Sequence, residues 1–156
     1  VDQKEAIEAH ILATLNTMTI ANGYVLPEDV QFIDRDIRMW DQTQGLYPAL
    51  IIQAEEDTSE LFEIATTVRS VLRLRIIIYL DPPAGDVPAT LMNAYVAAIR
   101  RVLVQDRSRG GLNANTTIES VPTAALWKED PDGQVTNILE GTVVAAVEYI
   151  HEDEAA

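Results

Sequence analysis

Val68 to Leu80 reads VRSVLRLRIIIYL, and the fold follows from this stretch. Leu72, Leu74, Ile76, Ile78 and Leu80 alternate onto one face of a β-strand, while Val71, Arg73, Arg75, Ile77 and Tyr79 fall on the other. The first face belongs in a core. The second sets two arginines among Val, Ile and Tyr, which is neither core nor an ordinary solvated surface. A strand at the centre of a sheet, with its back turned toward another body, is the expectation.

Working outward toward the N-terminus, Asp2 to Met18 reads as an amphipathic helix, with Ile7, Ile11, Leu15 and Met18 at helical spacing and Leu12 widening the stripe. Asn22-Gly23 ends that segment with residues that tolerate a left-handed backbone, and Pro27 discourages continuation. Val30 to Met39 is expected to be a strand with Phe32 on one face and Ile33, Ile37 and Met39 on the other. Its charges, Asp34, Arg35, Asp36 and Arg38, place it at a sheet edge or in an extended arm. Asp41 to Gly45 is a polar loop, and its flanks Trp40 and Tyr47 read as core aromatics or contact residues. After Pro48, ALIIQA is a compact apolar strand followed by an acidic turn, Glu55 to Ser59. Glu60 to Leu80 then reads as extended throughout. A break near Ala65 to Val68 is expected because the run exceeds a normal strand, with a long projecting hairpin as the alternative.

Toward the C-terminus, Asp81-Pro82-Pro83-Ala84-Gly85 ends the strand, and Asp86 is placed to cap a second helix with Pro88 in its first turn. Leu91, Ala94, Tyr95, Ala98, Ile99, Val102 and Leu103 form its stripe as far as Gln105. Ser108 to Asn115 is a glycine-bearing loop. Two extended segments follow, Thr116 to Trp127 and Asn137 to Ile150, joined as a hairpin by the turn Asp130-Pro131-Asp132-Gly133. The tail 151–156, HEDEAA, is expected to fray. The sum is one α+β domain over 1–156: a mostly antiparallel sheet of four to five strands, in a meander, with two main helices packed on one face.

Composition narrows the chemistry. A chain of 156 residues with 47% hydrophobic content can enclose a core, and the lack of cysteine excludes disulfides, thiolate zinc sites and a cysteine nucleophile. No apolar run approaches the roughly 18 residues of a membrane span, and VDQKEAIEAH is unlike a signal peptide, so a soluble protein not exported by a cleavable signal is expected. Eleven basic against 25 acidic residues give a formal charge of −14, a sign that repels nucleic acid and anionic membrane.

Catalytic and metal constellations are not found in the sequence. His10 and His151 lack the close spacing of a metal-binding helix, and Ser59, Ser70, Ser108 and Ser120 sit on no recognisable nucleophile elbow. Gly110-Gly111 has neither the lysine nor the following helix of a phosphate loop. Glu55/Glu56 and Asp130/Asp132 fall in expected turns without the spacing of a calcium loop. No catalytic, metal-ligating or cofactor-binding residue is therefore assigned. Arg69, Arg73 and Arg75 are three of 11 cations and stand within seven positions. A solvated face with cross-strand acids explains one such arginine. Three interleaved with Val71, Ile77 and Tyr79 point instead to a protein interface, where Arg and aromatic residues are favoured anchors.

The order of features resembles the tail terminator (tail completion) proteins of long-tailed bacteriophages. The resemblance runs through the helix ending before Asn22-Gly23-Tyr24, the strand Tyr47-Pro48-Ala49-Leu50-Ile51-Ile52, and the long strand ending Ile76-Ile77-Ile78-Tyr79. It continues through a helix closing with Ile99 to Asp106, the Gly110-Gly111 loop and a final strand ending Val147-Glu148-Tyr149. It implies a non-enzymatic virion subunit, made in the host cytoplasm, that forms a hexameric ring at the neck end of the tail. Such a ring ends tube polymerisation and joins the tail to the head, with sheets inward and helices outward. The implied partners are further copies of the chain, the tail tube protein and a head-side neck protein; genomic DNA passes through the lumen without specific binding, and no membrane is involved. Arg35, Arg38 and Trp40, in a segment with no matching family motif, join Arg69, Arg73, Arg75 and Tyr79 as candidate contacts to a subunit or the tube. The alternatives are another neck component, such as a head-completion or stopper protein, and, remotely, a small metal-dependent hydrolase using His10 or His151.

Overall fold

A computed structural model describes residues 3–35, 45–61, 67–112, 114–120, 126–129 and 132–152. Helix α1 spans Gln3–Asn16 and helix α2 Pro88–Gln105. The strands are β1 (Phe32–Arg35), β2 (Ala49–Leu61), β3 (Thr67–Leu80), β4 (Ala114–Ser120), β5 (Leu126–Glu129) and β6 (Val135–Glu152). They form one mixed sheet in the order β1-β2-β3-β6-β4, with β5 also pairing β6. The fold is α+β as expected, with six strands rather than four to five.

The opening stretch lies at the centre. β3 pairs antiparallel with β2 from Ala49↔Tyr79 to Leu61↔Val68, and with β6 from Thr67↔Glu152 to Leu80↔Leu139. β4 and β5 divide the other edge of β6 between them, against residues 144–149 and 135–140. Every even-numbered β3 residue from Val68 to Leu80 is buried, and Leu72, Leu74, Ile76 and Ile78 are wholly so. They share a core with Ile7, Ile11 and Leu15 of α1 and with Met92, Tyr95, Ile99 and Leu103 of α2. Each fully buried aliphatic side chain contributes about 1.5–3 kcal/mol, so this face is where the helices are held.

Local chemistry sets the helix ends. Past α1, Thr19 accepts a hydrogen bond from the Asn22 amide and Gly23 closes the turn at φ 89°, the left-handed conformation expected there. At the start of α2 the capping position is Val87, without a side-chain hydrogen bond, so the expected cap by Asp86 is not made; Pro88 does sit in the first turn. At its end, the buried Arg109 guanidinium donates to the carbonyls of Leu103 and Asp106, in keeping with the negative end of the helix dipole.

Four further expectations need correction. β1 runs parallel to β2, so the sheet is not a pure meander. The acidic segment Glu55 to Ser59 is no turn but continues β2, past a bulge between Ala54 and Glu56, so β2 and β3 build the long hairpin given as the alternative. The segment Thr116 to Trp127 resolves into the ends of two strands, β4 and β5. His151 and Glu152 are not a frayed tail but the end of β6. The readings placed on Asp2, 36–44, 62–66, Asp130-Pro131 and residues 153–156 lie outside the described residues, as do Arg38 and Trp40; of the break expected near Ala65 to Val68, the described part, Thr67 and Val68, is paired strand.

Candidate interaction face of the sheet

The face of β3 turned away from the helices divides into two halves. At the Leu80 end Ile77 and Tyr79 pack with Ala49, Ile51 and Ile138 into a small second cluster, flanked by Phe32 and Tyr47. Tyr79 is buried, and its hydroxyl is hydrogen-bonded to Glu140; burial first and then the Glu140 charge push its pKa up. Lys128 reaches the same carboxylate, Nζ to Oε2, at 3.3 Å. A buried phenol, a carboxylate and an ammonium thus satisfy one another, as polar groups in a partly desolvated setting must.

At the other end the face is charged. Arg73 Nε and Nη2 donate to the two carboxylate oxygens of Glu119 at 2.9 and 3.1 Å, a bidentate pair. Glu119 is the extra residue where the β4–β6 register shifts between Ile118 and Ser120, and the bulge aims its side chain across the sheet. Arg69 Nη2 donates to Glu148 Oε2 at 2.8 Å. These four side chains rim a depression of about 240 Å3 lined by Val71, Thr117 and Ala146. Arg69 and Arg73 therefore find carboxylates within the chain, the arrangement read from sequence as sufficient for one arginine.

Arg75 differs from both. It lies at the junction of the halves, opposite Gln53 on β2 and Val144 on β6, is partly exposed, and has no ion-pair or hydrogen-bond partner among the described residues. Arg35 belongs to neither half: on β1 it pairs with Glu5 of α1, Nη2 to Oε1 at 2.9 Å. The structure thus brings Arg69, Arg73, Arg75 and Tyr79 onto one face and places Arg35 on the helix side. Glu119, Glu140, Glu148 and Lys128 were missed in the sequence; an acid or base on a neighbouring strand has no period that ties it to a particular arginine before register is known.

Outside this face, a further set of titratable groups lies at the end of α2. Asp106 accepts from the Ser108 hydroxyl at 2.6 Å, from the Ser108 amide at 3.1 Å and from the Gly110 amide at 2.8 Å, and these bonds, the hydroxyl's first, hold its pKa below the ordinary range. His10 Nε2 stands 4.0 Å from its Oδ2, and Thr14 Oγ1 lies 3.4 Å from His10 Nδ1. The serine is bonded to the aspartate and not to the histidine, so the order required for histidine-assisted nucleophilic attack is not built. Among the described residues no three metal-ligating side chains converge, and no helix is long and apolar enough to cross a membrane. No family model matches the chain, and no curated protein matches it either.

Proposed function

We propose that the chain is a structural subunit of a phage tail, a tail terminator that assembles as a ring on the end of the tail tube and presents the surface that joins the head. The observation that carries this reading is the division of the sheet. One face is committed to the helices, and the other presents a charged half beside a small apolar cluster already buried within the chain, with Arg75 at their junction and without an ion partner among the described residues. A cation so placed suits a carboxylate from a neighbouring copy of a chain carrying −14. The order of elements that resembles the terminator family supports the same reading, which assigns no catalysis and lets DNA pass an acidic ring without being gripped.

Mass measurement in solution, with and without purified tube protein, tests it. The expected result is a closed ring, hexameric by the resemblance, that forms on or is stabilised by tube ends and halts their growth. A chain that remains monomeric at high concentration and neither binds nor caps tubes overturns the reading. Capture by a portal-side protein in place of the tube assigns it instead to a stopper or head-completion role. Arg75→Glu is expected to weaken ring formation at least tenfold while the monomer stays folded.

A further inference from the structure

Where β3 leaves the sheet for α2, the surface holds a separate groove of about 230 Å3. Leu80, Leu91 and Tyr95 line it together with four prolines, Pro27, Pro48, Pro82 and Pro83. The groove is formed in advance. Proline rings fix the backbone of the Pro82-Pro83 wall, and Tyr95 is pinned by its hydroxyl, which donates to the Glu28 carbonyl at 2.9 Å. Its remaining lining is acidic: Glu28, Asp81 and Asp86 are all exposed, and none of their carboxylates has an ion-pair or hydrogen-bond partner among the described residues. Carboxylates elsewhere, at Glu5, Glu119, Glu140 and Glu148, are each matched by a cation. Among the described residues no cation lines the groove.

We propose that this groove docks an extended segment of a different protein that presents one Lys or Arg between apolar residues. The volume falls below the roughly 300–1,000 Å3 of small-molecule sites and suits a single long side chain. Such a side chain divides as the groove does, its methylene stem lying on Leu80, Leu91 and Tyr95 while its charged head reaches Asp81, Asp86 and Glu28. Charge complementarity selects the occupant, because three unpaired acids beside an apolar floor repel an acidic segment and leave a neutral one without partners for the head. The inference stands apart from ring formation, which uses the opposite face of the sheet.

The test is amide chemical-shift mapping on the full chain, with N-acetyl-Leu-Arg-Leu-amide as probe and its citrulline isostere, which keeps the shape and removes the charge, as control. At about 10 mM, above the millimolar Kd that one ion pair and small apolar contacts support, the arginine peptide is expected to shift amides in Leu80–Asp86 and around Leu91. The citrulline peptide should bind about tenfold more weakly, and Asp81→Asn with Asp86→Asn should produce a similar loss. Both aspartates are exposed, so the variant's spectrum independently reports that it is folded. Equal binding of the two peptides, shifts confined to another surface, or no shifts overturn the proposal. So does a change of the same resonances on diluting the chain alone, which would assign the groove to a second copy.

Discussion

Arg73 and Glu119 face each other across the intervening strand β6 and meet through two bonds, 2.9 and 3.1 Å, on the side of the sheet that no core helix covers. Both side chains are about one-third exposed, at 33% and 35%, so the pair is neither fully screened nor costly to desolvate. Its coupling should be close to the upper limit for surface pairs, about 1 kcal/mol. A double-mutant cycle with Arg73→Ala and Glu119→Ala, read from urea midpoints, checks this; coupling near zero would make the pair ornamental. The exchanged variant, Arg73→Glu with Glu119→Arg, should recover most of the stability lost in either single reversal. It should also assemble as the native chain does, because this pair closes within the subunit. Arg75→Glu has no such rescue within the chain.

Much of the fold was legible because its periodicities are strong. Leu72 to Leu80 alternate without interruption and α2 keeps its stripe from Leu91 to Leu103, so both landed where expected. The acidic run Glu55 to Ser59 misled for a physical reason: its composition favours a turn, but β3 offers partners to Glu56, Asp57, Thr58 and Ser59, and pairing outweighs local preference. Nothing in the composition of β1 encodes a parallel orientation. The site was half legible. Three arginines in seven positions are visible in the chain, but which of them is paired depends on register and on the bulge that turns Glu119 toward Arg73.

Gly141 offers a sharp test of core packing. A Cβ at this strand position would lie 2.6 Å from Met92 Sδ and 3.2 Å from Met92 Cγ, so an alanine fits only if the methionine moves. Gly141→Ala is therefore expected to destabilise by about 1–2 kcal/mol, despite alanine's usual advantage over glycine in a strand. Met92→Ala alone leaves a cavity. Combined, the two substitutions should cost less than the sum of their separate effects, since one vacates the space that the other fills. Strict additivity in equilibrium unfolding would show that Met92 does not press on Gly141.

Tyr95 ties the proline groove to the core. Burial first of all raises its pKa from 10.0 to about 12. The folded state thus binds this proton more tightly than the unfolded chain does, and the associated stability is complete below pH 10 and lost as pH rises toward 12. Ultraviolet titration should show this phenol ionising late. Tyr95→Phe should remove the late step and cost about 1 kcal/mol at neutral pH through the lost hydrogen bond. An unchanged titration curve in the variant would contradict the assignment.

His10 and Asp106 lie 4.0 Å apart yet should leave separate marks on the pH dependence of stability. Burial, and next the charge of Arg109, lower the His10 pKa from its ordinary 6.5, with Asp106 pulling in the opposite direction. Between that lowered value and 6.5 the unfolded chain takes up the histidine proton more readily than the folded one. This contribution is whole above pH 6.5 and declines as the pH falls through the interval. Asp106 is depressed by its bonds to Ser108 and Gly110, so its contribution is present above 3.8 and disappears only on further acidification. Thermal melts from neutral pH downward should therefore show an upper limb that His10→Gln flattens and a lower limb that Asp106→Asn flattens. Should His10→Gln leave the upper limb unaltered, the imidazole is not held neutral by its packing, and the decline must come from another group.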